Sequence, residues 1–92
     1  MVYGKAEKMI KKTVTVNFLG VQRRITGEDN ITIELAENMQ VCDFIGLLKN
    51  RYPALDLEEG SVIITVNEEK VASGRILSAG DTISLLPHIG GG

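Results

Sequence analysis

Residues 90–92 read Gly90-Gly91-Gly92, shortly after an apolar stretch, Ile83-Ser84-Leu85-Leu86-Pro87. Glycine has no Cβ, so such a run is thin and conformationally free, and it can enter a passage that side chains would block. A glycine run that closes on a carboxylate points to that carboxylate as the reacting group. An activating enzyme that draws it to ATP would form an acyl-adenylate, from which a thiocarboxylate or an amide follows. The carboxylate of Gly92 is the expected reactive group. Gly91, Gly90, Ile89, His88, Pro87 and Leu86 are the expected partner contacts.

The other residues with chemical potential carry weaker patterns. Cys42 is the single cysteine, which excludes an intrachain disulfide and a cluster of thiolate ligands supplied by this chain alone. It lies in a helical stretch with no histidine near it in sequence and is expected to be a small buried hydrophobe. His88 has no second ligand candidate beside it and is expected in solvent or against a partner, with no metal site. Arg23 and Arg24 are expected to solvate a hairpin connection, and Glu58-Glu59 and Glu68-Glu69 to be turn charges.

The composition is that of one small domain: 92 residues, 43% hydrophobic and 24% charged. No apolar run approaches the ~20 residues of a membrane span. The first residues lack the apolar centre of a secretory signal, so a cytoplasmic protein is expected. The net charge of −2 is uneven: Lys5, Lys8, Lys11 and Lys12 give residues 1–12 a net +3 against Glu7, and the remainder carries −5. An acidic body argues against nucleic-acid binding and fits a partner with a basic docking face; solubility alone would also account for it.

The elements that must position the glycine run follow from periodicity. Residues 1–11 have no convincing period and are expected to form a loose leader. Thr13–Leu19 alternates, with Val14, Val16 and Phe18 on one face, and predicts a strand. Gly20–Asn30 is polar and predicts a long hairpin connection. Ile31–Leu35 alternates again. Val41, Phe44, Ile45 and Leu48 fall at helical spacing and predict an amphipathic helix that Pro53 stops. Its start is ambiguous, because Asn38 is a good cap set two residues too early and Gln40 is a poor one. Gly46 inside this helix costs about 1 kcal/mol relative to alanine and is expected where helix and sheet meet closely. Val62–Asn67 is strongly β-prone, Lys70–Ala72 is a short return strand, and Thr82–Leu86 is the last strand. One helix against one face of a mixed sheet, with the first and last strands paired centrally, is an α+β fold of the β-grasp, or ubiquitin-like, kind. The expected bounds are 1–11 for the leader, 12–86 for the domain and 87–92 for the glycine tail.

The closing segment, from Ala79-Gly80-Asp81 through the apolar strand and Pro87 to Gly90-Gly91-Gly92, resembles the end of the MoaD/ThiS sulfur-carrier family. Val41 to Tyr52-Pro53 resembles its helix. The long Gly20–Asn30 connection is more similar to the MoaD side of the family, that of the small subunits of molybdopterin synthase. His88 stands where a second proline is frequent, and Leu85-Leu86 where aromatic residues are common. The resemblance covers about residues 13–92. It implies that a MoeB/ThiF-like activating enzyme adenylates Gly92 with ATP and that sulfur replaces AMP to give a thiocarboxylate. It further implies that a molybdopterin-synthase large subunit receives the tail for molybdenum-cofactor biosynthesis. On this reading the chain binds no cofactor, is a monomer when free, and acts as a co-substrate subunit of a sulfurtransferase. A thiamine or other thiolation pathway, a protein modifier conjugated through Gly92, and a passive β-grasp interaction domain are the alternatives.

Residues 87–92 span at most about 20 Å when extended, at ~3.3–3.6 Å per residue. That is enough to enter a neighbouring subunit. If Ile83 and Leu85 face the core, Leu86 faces outward, in phase with Leu19 and Ile63. These three either make an apolar docking patch or sit under loops.

Overall fold

A computed structural model describes residues 12–58 and 60–87. The expected leader (1–11) and the tail residues His88, Ile89, Gly90, Gly91 and Gly92 lie outside these residues.

Two long-range pairings define the sheet. Strand β1 (Lys12–Asn17) pairs antiparallel with β2 (Asn30–Leu35), placing Val14 opposite Ile33 and Val16 opposite Ile31. It pairs in parallel with β5 (Thr82–Pro87), placing Val16 opposite Ile83. Strand β3 (Val62–Val66) lies antiparallel on the far side of β5, and β4 (Glu69–Lys70) closes a hairpin with it. The order β2-β1-β5-β3-β4 sets the first and last strands side by side at the centre, as expected from the order of the elements. Gly80 makes the bend into β5 at a φ of 86°, an angle that costs a glycine little.

The period-2 pattern decides which face is buried. Val14, Val16, Ile33, Val66, Ile83 and Leu85 all turn to one side and are buried. The opposite phase carries Thr13, Thr15, Asn17, Thr82 and Ser84, which stay half-buried.

Helix α2 (Val41–Arg51) covers the apolar side. Its Val41, Phe44, Ile45 and Leu48 stripe is buried, joined by Phe18, Leu55, Leu57 and Leu77. Asn38 does not cap it. Gln40 is the N-cap, and its N–H donates to the Asp43 carboxylate at 3.1 Å. The next two N–H groups, of Val41 and Cys42, donate to the carbonyls of Arg75 and Ser73 at 2.9 Å each. A crossing loop therefore serves orphan donors that a cap side chain usually serves. Tyr52 ends the helix before Pro53, with its ring edge-on to Phe18 at a centroid distance of 5.7 Å.

The Gly20–Asn30 connection is not the plain hairpin loop expected from its polarity. It folds as a short helix, α1 (Val21–Thr26), between Gly20 and Gly27, both at positive φ. Two more expectations fail. Cys42 is exposed, because it falls one position off the buried stripe; its Sγ donates to Gln40 Oε1 at 3.5 Å. Gly46 marks no close approach, since a Cβ built there meets nothing within 4 Å.

Candidate functional site at the root of the tail

Strand β5 delivers the tail, so the geometry of its last residues sets where the tail begins. In the β3–β5 ladder, Asn67 N–H donates to Thr82 C=O at 2.7 Å. By alternation, Ser84 and Leu86 also turn their backbone groups toward β3, and Ile83, Leu85 and Pro87 turn theirs toward β1. The β1–β5 pairing stops at Asn17 opposite Ser84. Beyond that point the side of β5 facing β1 has no partner strand among the described residues.

Gln22 of α1 fills that gap. Its Nε2 donates to Leu85 C=O at 2.7 Å, and its Oε1 accepts from Leu19 N–H at 3.0 Å. The side chain is buried and stands in for one residue of strand, so the ladder extends to the edge of the tail. Pro87 comes next on that side. Its missing N–H costs no ladder bond, because no strand among the described residues faces it on that side. Proline fixes φ at the last residue of β5.

The opposite end of β5 is held by Asp81, which is buried. Its carboxylate accepts from Ser78 N–H at 2.8 Å, Arg75 NH1 at 3.0 Å and Asn67 Nδ2 at 2.9 Å. Burial alone would raise its pKa. The three hydrogen bonds and the charge of Arg75 outweigh burial and hold the carboxyl below its ordinary value. Asn67 also accepts from Thr82 N–H at 3.0 Å. Both ends of the strand are therefore pinned by side-chain amides.

Two apolar surfaces flank the root. On the face opposite α2, Leu86 sits directly across from Ile63, and both are half-buried. On the other flank, α1, residues 54–56 and residues 61–62 border a cleft of about 400 Å³. Leu19, Val21, Ile25 and Pro87 line it, and Leu19, Val21 and Ile25 are exposed large hydrophobics. The expected patch is thus split: Ile63 and Leu86 pair across strands, and Leu19 turns into the α1 cleft. Pro87 is exposed at its rim. Arg23 and Arg24 are exposed on α1, with Arg23 3.7 Å from Asp29.

Neither α1 nor the role of Gln22 follows from the polarity of the Gly20–Asn30 connection. A signal was present: Val21 and Ile25 are spaced i, i+4, with no helix breaker before Gly27. Among the described residues, no group of three His, Cys, Asp or Glu side chains could hold a metal ion.

The ThiS family model matches residues 16–92. The fold is similar to a Pyrococcus furiosus protein described as "putative molybdopterin converting factor, subunit 1", with TM-score 0.77 and 29% identity over 85% of this chain and 99% of that one. It is also similar to a chain in the complex of subunits 1 and 2 of the molybdopterin-converting factor from Helicobacter pylori, with TM-score 0.61 and 30% identity over 87% and 99%. Small archaeal modifier protein 1 from Haloferax volcanii shares the fold at TM-score 0.74 and 20% identity over 85% and 99%. No curated protein matches by sequence.

Proposed function

Because the chain belongs to the ThiS family, with the ubiquitin-like β-grasp fold, we propose that it is a sulfur carrier whose C-terminal Gly92 is loaded as a thiocarboxylate. The observation that supports this most is the anchoring of β5. The strand is central in the sheet, pinned at Asp81 and again at Leu85, and its last residue, Pro87, stands between two apolar flanks. A rigid base with a thin end suits delivery of an acyl group into another protein.

The chemistry would run as follows. The Gly92 carboxylate attacks the α-phosphate of ATP in an activating enzyme and displaces pyrophosphate. A sulfur nucleophile then attacks the acyl carbon and AMP leaves. A carboxylate is a poor acyl donor because its leaving group is poor, and adenylation removes that obstacle. This chain supplies the acyl group, its reach and a docking face; the catalytic groups belong to the partner. The Helicobacter pylori structure joins two subunits of the converting factor, which favours a large-subunit acceptor and molybdopterin synthesis over other thiolation pathways.

Deleting Gly91-Gly92 should abolish sulfide-dependent loading by an activating enzyme and ATP, with an unchanged melting temperature. Loss of folding on deletion would make the tail a structural element and contradict the proposal. Isolation of Gly92-linked branched peptides, with no sulfur-loaded form, would assign the chain to protein modification instead.

A further inference from the structure

The outer edge of β3 is covered over only part of its length. Strand β4 pairs Lys70 with Thr65 and Glu69 with Val66. The ladder continues with Val71 N–H donating to Ile64 C=O at 3.3 Å, and then the chain crosses to α2, where Ser73 and Arg75 cap the helix. Ile63 and Thr65 turn their backbone groups toward β5, so Val62 and Ile64 turn theirs outward. Among the described residues, no backbone hydrogen bond meets Val62 N–H, Val62 C=O or Ile64 N–H on this edge. A strand edge with unmet donors and acceptors is a template for another strand.

A groove of about 630 Å³ runs between this edge and α2. Ile45, Leu57, Val62, Ile64 and Val71 make its apolar lining. Val62, Ile64 and Val71 belong to the core-facing phase yet stay half-buried, because the groove is open above them. Gly46 forms part of the helical wall. A glycine there costs about 1 kcal/mol relative to alanine, and a Cβ would meet nothing within 4 Å. Packing among the described residues therefore gives no reason for it, whereas close approach of a second backbone does. At the rim, Lys49 is paired with Glu58 at 3.2 Å. Lys70 has no acidic partner among the described residues.

We propose that this groove takes an extended peptide segment of a partner protein, which adds as a strand to β3 at Val62 and Ile64. Two donors and one acceptor at strand spacing call for a polypeptide backbone. The apolar lining takes aliphatic side chains at alternate positions, and Lys70 takes an acidic residue at one end. This is strand addition at a sheet edge, with main-chain bonds giving affinity and alternate side chains giving selectivity. It does not rest on the carboxylate chemistry, and a chain lacking Gly91-Gly92 binds equally well.

The test is a titration of the isotope-labelled full chain with a capped peptide, acetyl-Val-Thr-Val-Ile-Asp-Asp-amide, followed by amide NMR. Saturable shifts are expected at Gly46, Val62, Ile64 and Val71, with slowed hydrogen exchange at Val62 and Ile64. The same peptide N-methylated at alternate positions, so that it cannot donate to the edge, does not bind. Gly46→Leu blocks the groove. Gly46→Ala raises the melting temperature and weakens binding, which separates a filled groove from a damaged fold. Lys70→Glu weakens binding several-fold, the scale of an exposed charge pair. No saturable shift, shifts centred on Leu86 with none at Gly46 or Ile64, or occupation of the edge by a second copy of the chain would each overturn the proposal.

Discussion

The side-chain amide of Gln22 donates to the carbonyl of Leu85 at 2.7 Å across 63 residues of sequence. This one bond couples α1, an insertion between β1 and β2, to the strand that carries the tail. It converts a polar connection into a support for the end of β5.

Removing that support has a definite cost. Gln22→Leu leaves Leu85 C=O and Leu19 N–H without their partner, and unfolding in urea should show a loss of about 1–3 kcal/mol. Hydrogen exchange at Leu19 and along the end of β5 should rise in the same variant. An unchanged urea midpoint would show that water replaces the amide at no cost.

Asp81 makes stability depend on pH on the acid side. Its folded-state pKa is depressed, so its contribution is fully present above the unfolded value of about 3.9. That contribution is lost as the pH falls through the lower folded value. Asp81→Asn should lose about 1–3 kcal/mol at pH 7, the scale of a charged hydrogen-bond network with a partly exposed arginine. Melting curves taken downward from pH 7 should show wild type and variant converging below about pH 4. A constant gap down to pH 2 would assign the loss to packing.

Leu86 and Ile63 face each other on the sheet surface away from α2. Leu86→Ser should reduce loading by the activating enzyme about tenfold, equivalent to about 1.4 kcal/mol of docking energy, while the fold persists. Steady-state loading rates measured beside a urea titration separate the two effects. Unchanged loading would move the docking face to the α1 cleft.

Phe44 is fully buried under the sheet. Phe44→Ala should cost about 3–5 kcal/mol, against little change for Cys42→Ser on the exposed side of the same helix. Chemical denaturation of the two variants checks the assigned helix face.

The elements that alternate or repeat cleanly were legible from sequence. Val14, Val16 and Phe18 named a buried strand face, and the Val41–Leu48 stripe named the helix face, because hydrophobic burial imposes the period. Positions governed by long-range polar contacts were not legible. Cys42 was expected to be buried on the general habit of cysteine, yet its place beside the stripe sets it outside. Gln40 is a poor cap by residue type; its carboxylate partner Asp43, at N3, is a local signal that sequence does offer, whereas the loop carbonyls at Ser73 and Arg75 are tertiary facts. Gln22 carries no periodic signal at all; its role exists only once β1 stops short of Leu85. The Gly80-Asp81 turn was visible as a motif, but the three donors that converge on the carboxylate were not. Of the expected contact residues, Leu86 and Pro87 stand at the root of the tail.

The central claim is that Gly92 carries sulfur, and intact-mass spectrometry tests it most directly. After incubation with an activating enzyme proven active on its own carrier, ATP and sulfide, the chain should gain the mass of one oxygen-to-sulfur exchange. Fragmentation should place that exchange on Gly92. An unchanged mass under those conditions would contradict the account.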